Sequence, residues 1–233
     1  MLGKRLINTV AGEACTTDTV DYPTTNAAYY QLDNNPQDST TNGYDGVASN
    51  VTYSTGKFGQ AASFNGTSSK IELPNNAFKF TTFTANYWFN ANNVAGTFQT
   101  IYSAYDNDGT NGGITCGISG GKLWLFGAGG STSPSHYTGT ATVSNGVWYL
   151  ATLIVDGTSI KMYLNNVLDI NLTFGSNLAY RPTHQFTVGA RDVGVNTYGY
   201  YNGLVDQFRI FDTALTADQV TDLYDEVYCA ILP

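Results

Sequence analysis

Tyr200-Tyr201-Asn202-Gly203-Leu204-Val205-Asp206-Gln207-Phe208-Arg209-Ile210-Phe211-Asp212 runs almost directly into Ala214-Leu215-Thr216-Ala217-Asp218-Gln219-Val220 and Leu223-Tyr224. The first part alternates and predicts a strand, with Leu204, Phe208 and Ile210 on one face and Val205, Gln207, Arg209 and Phe211 on the other. Asp206 is an inward acid in this otherwise apolar strand. The second part predicts a short helix, because Thr216 can cap it and Gln219 at N3 completes a capping box.

The same strand-and-turn text extends back through the chain. Trp148 to Val155, Ser159 to Leu164 and Val167 to Leu172 form a meander whose joints, Asp156-Gly157 and Asn165-Asn166, tolerate the positive φ of tight hairpins. Gly113 to Ser119 and Lys122 to Phe126 read as a hairpin about Gly120-Gly121. Further strands are expected at Ala28–Leu32, Val47–Tyr53, within Gly56–Gly66, and at Lys70–Leu73, Phe83–Phe89, Phe98–Tyr105, Gln185–Ala190 and Gly203–Phe211. The Ser/Pro/Gly-rich stretch around His136 reads as loop. Short strands at this spacing predict one all-β sandwich over residues 28–233, preceded by an N-terminal arm or linker at 1–27.

Composition narrows the function. The 233 residues are 42% hydrophobic, enough for a core, and only 12% charged, with a net charge of −8. Ten thinly spread basic residues make a poor nucleic-acid surface. No run is long enough for a transmembrane helix, and Asn8, Thr9 and Glu13 break what would be a secretory leader. The three cysteines are Cys15, Cys116 and Cys229. An odd count argues against a full disulfide framework, leaving a single Cys15–Cys229 bridge between the termini or three free thiols.

Read in order, the pieces resemble one family. These are Tyr30-x-Leu32-Asp33, a polar loop ending at Asp45-Gly46, and the block Gly56-Lys57-Phe58-Gly59-Gln60-Ala61-Ala62-Ser63-Phe64-Asn65-Gly66. A strand with Trp88, then Trp148 and its hairpin, Val188-Gly189-Ala190, and the closing strand with its helix follow. Residues 28 to 226 resemble a laminin-G-like domain of the concanavalin A-like superfamily. The resemblance implies a jelly-roll β-sandwich with a short C-terminal helix, and binding or attachment. The two ends, Met1 to Thr9 with Cys15-Thr16-Thr17-Asp18-Thr19, and Glu226-Val227-Tyr228-Cys229, are similar to stand-alone laminin-G-like proteins of marine tailed bacteriophages. That likeness implies a virion protein, in the capsid decoration or the tail or fibre. It would be made in the host cytoplasm without a signal peptide and anchored to other virion proteins by its arm. It implies a homo-oligomer, a trimer at a symmetric position, and a host surface glycan as ligand, with no nucleic-acid or membrane partner. The alternative is an extracellular carbohydrate-binding or adhesion module of a bacterium.

The superfamily also contains glycoside hydrolases and lyases. Retaining hydrolysis needs paired carboxyl groups about 5 Å apart. Glu13, Glu72 and Glu226 are scattered, Asp106 and Asp108 fall in a loop tip, and no nucleophile elbow accompanies His136 or His184. The expectation is therefore a protein that is not an enzyme. Relatives of this fold often hold one structural Ca²⁺, for which the oxygen donors here are Asp38, Asn42, Asp45 and Asp206. Alternatively, Asp206 accepts hydrogen bonds from a loop without a metal. For a glycan, the candidate contacts are Tyr105, Asp106, Trp124, Tyr137, Tyr198, Tyr200 and Tyr201, aromatic faces beside polar groups. The Val193–Tyr201 loop equally suits a protein–protein contact.

Overall fold

A computed structural model describes residues 4–7, 16–19, 26–75, 77–105, 113–127, 135–180, 185–192 and 197–226. One antiparallel sheet has the strand order β12 (Ser135–Thr142), β11 (Lys122–Gly127), β10 (Ile114–Ser119), β9 (Gln99–Tyr105), β16 (Gln185–Val188), β7 (Lys70–Leu73) and β4 (Val47–Ser49). The other has the order β15 (Val167–Thr173), β14 (Ser159–Leu164), β13 (Trp148–Asp156), β8 (Thr82–Ala91), β19 (Asn202–Phe211), β6 (Gln60–Asn65) and β5 (Thr52–Thr55). In that sheet β3 (Ala28–Tyr30) pairs with the second half of β19. Two short hairpins stand apart: β1 (Lys4–Ile7) with β2 (Thr16–Thr19), and β17 (Arg191–Asp192) with β18 (Thr197–Tyr198). One helix, α1 (Ala217–Tyr224), follows β19. Among the described residues no helix is long and apolar enough to cross a membrane.

The core lies between the two sheets. Alternate residues of β8 (Phe83, Ala85, Tyr87, Phe89) meet those of β9, β10 and β11 (Tyr102, Ala104, Cys116, Leu123, Leu125). The expected meander is present, with Asp156-Gly157 and Asn165-Asn166 as its turns and Asn165 at φ 59°. The other face of β8 and β13 is also dry. There Trp88, Leu150 and Ile154 pack under Leu215, Val220 and Leu223 of the α1 segment. Each such side chain, once buried, contributes on the order of 1.5–3 kcal/mol. The helix start is fixed twice. Thr216 and Gln219 form the expected capping box, and Thr84 on β8 accepts from Leu215 N at 3.0 Å while donating to Thr213 O at 2.8 Å.

Four expectations change. Val47–Tyr53 is not one strand: β4 joins one sheet and β5 the other, and Asn50 at φ 53° makes the corner between them. The loop expected around His136 contains β12, an edge strand with three Thr whose outward residues are polar or solvent-facing. Alternation along β19 breaks at a bulge between Asp206 and Arg209, with Gln207 at φ 51°. Val205, Phe208 and Ile210 therefore all reach the core, while Asp206 turns to the Gly56–Gln60 segment. Part of the arm forms the β1–β2 hairpin. Cys15 and Cys229, the proposed bridge, lie outside the described residues. Cys116 is a buried free thiol beside the Tyr87 hydroxyl at 3.3 Å, and burial pushes its pKa up to about 12.

Candidate functional site

The outer face of the seven-stranded sheet carries an aromatic cluster, for reasons visible in the pleat. On β11, Leu123 and Leu125 point into the core, so Trp124 and Phe126 point out. The register sets His136 of β12 beside Phe126, and Tyr105 ends β9 on the same side. Trp124 is only 2% exposed, and its indole N–H donates to Gln99 O at 3.1 Å. Gly117, opposite Trp124, permits that bond: a Cβ there would lie 2.0 Å from Gln99 O.

Phe98 and Tyr198 form the rim. Phe98 is 45% exposed, sits at φ 50°, and meets Trp124 edge-on with centroids 5.3 Å apart. Tyr198 is 40% exposed and comes from β18, whose turn is tied to β9 by Thr100 N donating to Gly199 O at 2.7 Å. Together with Thr97, Thr100, His136 and Arg191 these residues line an open cleft of about 400 Å³. The His136 ring lies 4.6 Å from both Phe98 and Phe126. Partial burial, and then the Arg191 charge, hold its pKa below the usual histidine value, so it is neutral at neutral pH. The Arg191 guanidinium lies 5.4 Å from the Tyr105 and Phe126 rings and 5.3 Å from Tyr198.

Of the residues singled out in the sequence, Tyr105, Trp124 and Tyr198 converge here. Tyr137 is on the other face of β12, packed on Phe174 and the core. Tyr201 is fully buried against Phe64, and Tyr200 is half-buried without lining the cleft. Asp106 lies outside the described residues, as do Asp108 and His184. The sequence reading missed Phe98, Phe126, His136 and Arg191. The signal available for Phe126 was its spacing of two from Trp124, which places both rings on one face.

The acids gathered as calcium donors do not converge. Among the described residues no three His, Cys, Asp or Glu form a group able to hold a metal ion. Asp38 accepts from Tyr29 N, Thr40 N, Thr40 Oγ1 and Tyr44 N, Asp45 accepts from Asp38 N, and Asn42 donates to Ala27 O. Those carboxylates staple a loop and do not fit a calcium shell. Asp206 differs. It is 0% exposed, its Oδ2 accepts from Phe58 N at 2.9 Å, and its Oδ1 meets no donor among the described residues. Burial raises its pKa to about 7, and the neighbouring Asp33 charge adds to the rise. Asp206 is thus the one residue of the expected donor set whose chemistry still fits a cation.

Two large antiparallel sheets, a dry interior and, among the described residues, a single helix closing the last strand define a concanavalin A-like jelly roll. Residues 65–221 match the profile Laminin_G_3, described as the concanavalin A-like lectin/glucanases superfamily, and the chain belongs to that family. The fold is also that of domain 4 of AbnA, an extracellular GH43 arabinanase of Geobacillus stearothermophilus solved with arabinotriose. That likeness has TM-score 0.70 and 27% identity, over 85% of this chain and 98% of that one. The binding domain of botulinum neurotoxin DC, solved with rat synaptotagmin II, aligns with TM-score 0.67 and 13% identity over 86% of this chain. The same domain solved with SialylT gives 0.64 and 15% over 87%. This chain spans about half of those neurotoxin domains, 51% in each case. No curated protein matches the chain in sequence.

Proposed function

We propose that the protein is a non-enzymatic glycan-binding module whose binding site is the cleft over Trp124 and Phe98. One observation carries this reading: the exposed rings of Phe98 and Tyr198 rim an open cleft backed by buried Trp124 and Phe126 and edged by Thr97, Thr100, His136 and Arg191. Sugars present C–H faces that stack on such rings and hydroxyls that bond to such edges. The likeness to an arabinanase domain solved with arabinotriose supports it. None of the described lining residues is Asp or Glu, which supports binding without hydrolysis.

The finer part of the proposal is a place on a tailed-phage virion, as a capsid-decorating or tail protein that attaches weakly to host surface glycans. Its support is the likeness of the two chain ends, and mass spectrometry of purified particles tests it. Absence from the particles removes the virion role and leaves the glycan site to a bacterial adhesion module.

Phe98→Ala tests the site, since Phe98 is the more exposed of the two rim rings and lies outside the core between the sheets. A glycan array followed by calorimetry is expected to find ligands for the native protein, and roughly tenfold weaker binding for the variant, about 1.4 kcal/mol of lost stacking. Unchanged binding by Phe98→Ala would move the site elsewhere.

A further inference from the structure

The aromatic rings account for a sugar, but not for a cation among them. Arg191 is the only Lys or Arg among the described lining residues, on a chain whose net charge is −8. Its guanidinium is surrounded by the rings of Tyr105, Phe126 and Tyr198, which attract a cation through their faces but accept no strong hydrogen bond. Among the described residues that guanidinium makes no ion pair and no side-chain hydrogen bond. Its neighbour Asp192, the obvious acid, is taken by Lys70, which also holds Glu72. A planar cation with its N–H fork unspent, positioned by rings at the wall of a glycan-sized cleft, matches a planar anion on the ligand.

We propose that the cleft selects acidic glycans, with the carboxylate of a uronic or sialic acid residue paired to Arg191 while a sugar ring stacks on the exposed Phe98 ring. The inference rests on the glycan-binding reading above and names the ligand class for that site. The carboxylate takes the fork side-on, and neutral His136 beside it can donate or accept with the sugar hydroxyls without adding charge. A neutral arabinan would use the rings and leave the guanidinium without an acceptor, which forfeits the charge-assisted part of the affinity.

Calorimetry against four probes tests this: trigalacturonic acid, its methyl ester, sialyllactose, and neutral arabinotriose. The expected result is that at least one acid binds roughly tenfold or more tightly than the ester or the neutral sugar, a preference that weakens with added NaCl. Trigalacturonic acid and sialyllactose separate a uronate source from a sialate one. Arg191→Gln should collapse the acid-over-neutral preference to about one, and Arg191→Lys should retain only part of it, because an ammonium lacks the fork. Unchanged thermal melting of both variants excludes a packing effect. If the ester binds as well as the acid, or if Arg191→Gln keeps the preference, the acidic specificity is wrong. In that case Phe98-dependent binding of the neutral sugar leaves the cleft reading standing. If neither these probes nor a sulfated oligosaccharide binds, both fail. Arg191-dependent binding of a sulfated oligosaccharide alone would overturn the carboxylate.

Discussion

Asp206 shows how far a single residue can be read. An acid in an apolar strand was visible as a cost needing compensation, but the compensation came from a bulge and a distant turn, which no local pattern encodes. The folded carboxyl keeps its proton up to about pH 7, whereas an unfolded one releases it near 3.8. The stability this group contributes is therefore complete below pH 3.8 and is lost progressively as pH rises to about 7, up to about 4 kcal/mol in all. Thermal melts between pH 4 and 8 should show this decline in the native protein and a flatter profile in Asp206→Asn. A native protein that gains stability over that window would contradict it. At pH 8 Asp206 is ionised beside Asp33, and there Ca²⁺ should raise the melting temperature of the native protein but not of Asp206→Asn. No shift, together with no heat on titration, removes the structural calcium.

At the scale of elements, the text was clearest where strands are joined by tight turns. The β13–β14–β15 meander and the α1 capping box follow from Asp156-Gly157, Asn165-Asn166, and Thr216 with Gln219. Legibility failed where tertiary pairing overrides local pattern. Asn50 splits one apparent strand between two sheets, and β12 is held by pairing with β11, although the Ser/Pro/Gly text before it and Gly139 within it hide the strand. The bulge in β10 beside Gly117 is similarly silent in sequence, yet it places Gln99 O under the Trp124 indole. Gly117→Ala would drive a Cβ to 2.0 Å from that oxygen. The variant should lose roughly 1–3 kcal/mol in denaturant unfolding and weaken glycan binding through a displaced Trp124. Native-like stability would mean that β9 and β10 part more easily than their close packing suggests.

For the whole molecule, fold and site were unequally visible. Core positions recur with the period of the pleat, so Phe83, Tyr87, Leu123 and Leu153 announce a sandwich from one sequence. The cleft is assembled from Phe98, Trp124, His136, Arg191 and Tyr198, which four separate chain segments contribute, and only pairing register brings them together. Tyr137 and Tyr201 illustrate the converse: tyrosines that suit a sugar by type are turned inward by strand parity. The two outer faces also differ. One sheet carries the cleft, rimmed by the exposed rings of Phe98 and Tyr198, and the other is sealed by α1 over Trp88, Leu150 and Ile154.

That seal makes the two-turn helix and its lead-in a stopper. A chain ending at Thr213 would keep every sandwich strand but uncork an apolar patch on its back, of the kind through which soluble proteins stick to one another. The shortened protein should bind a hydrophobic dye and sediment as aggregates, while the full chain stays clear. The helix therefore has a second consequence: among the described residues, the exposed aromatic rings are left on the cleft face, those of Phe98 and Tyr198.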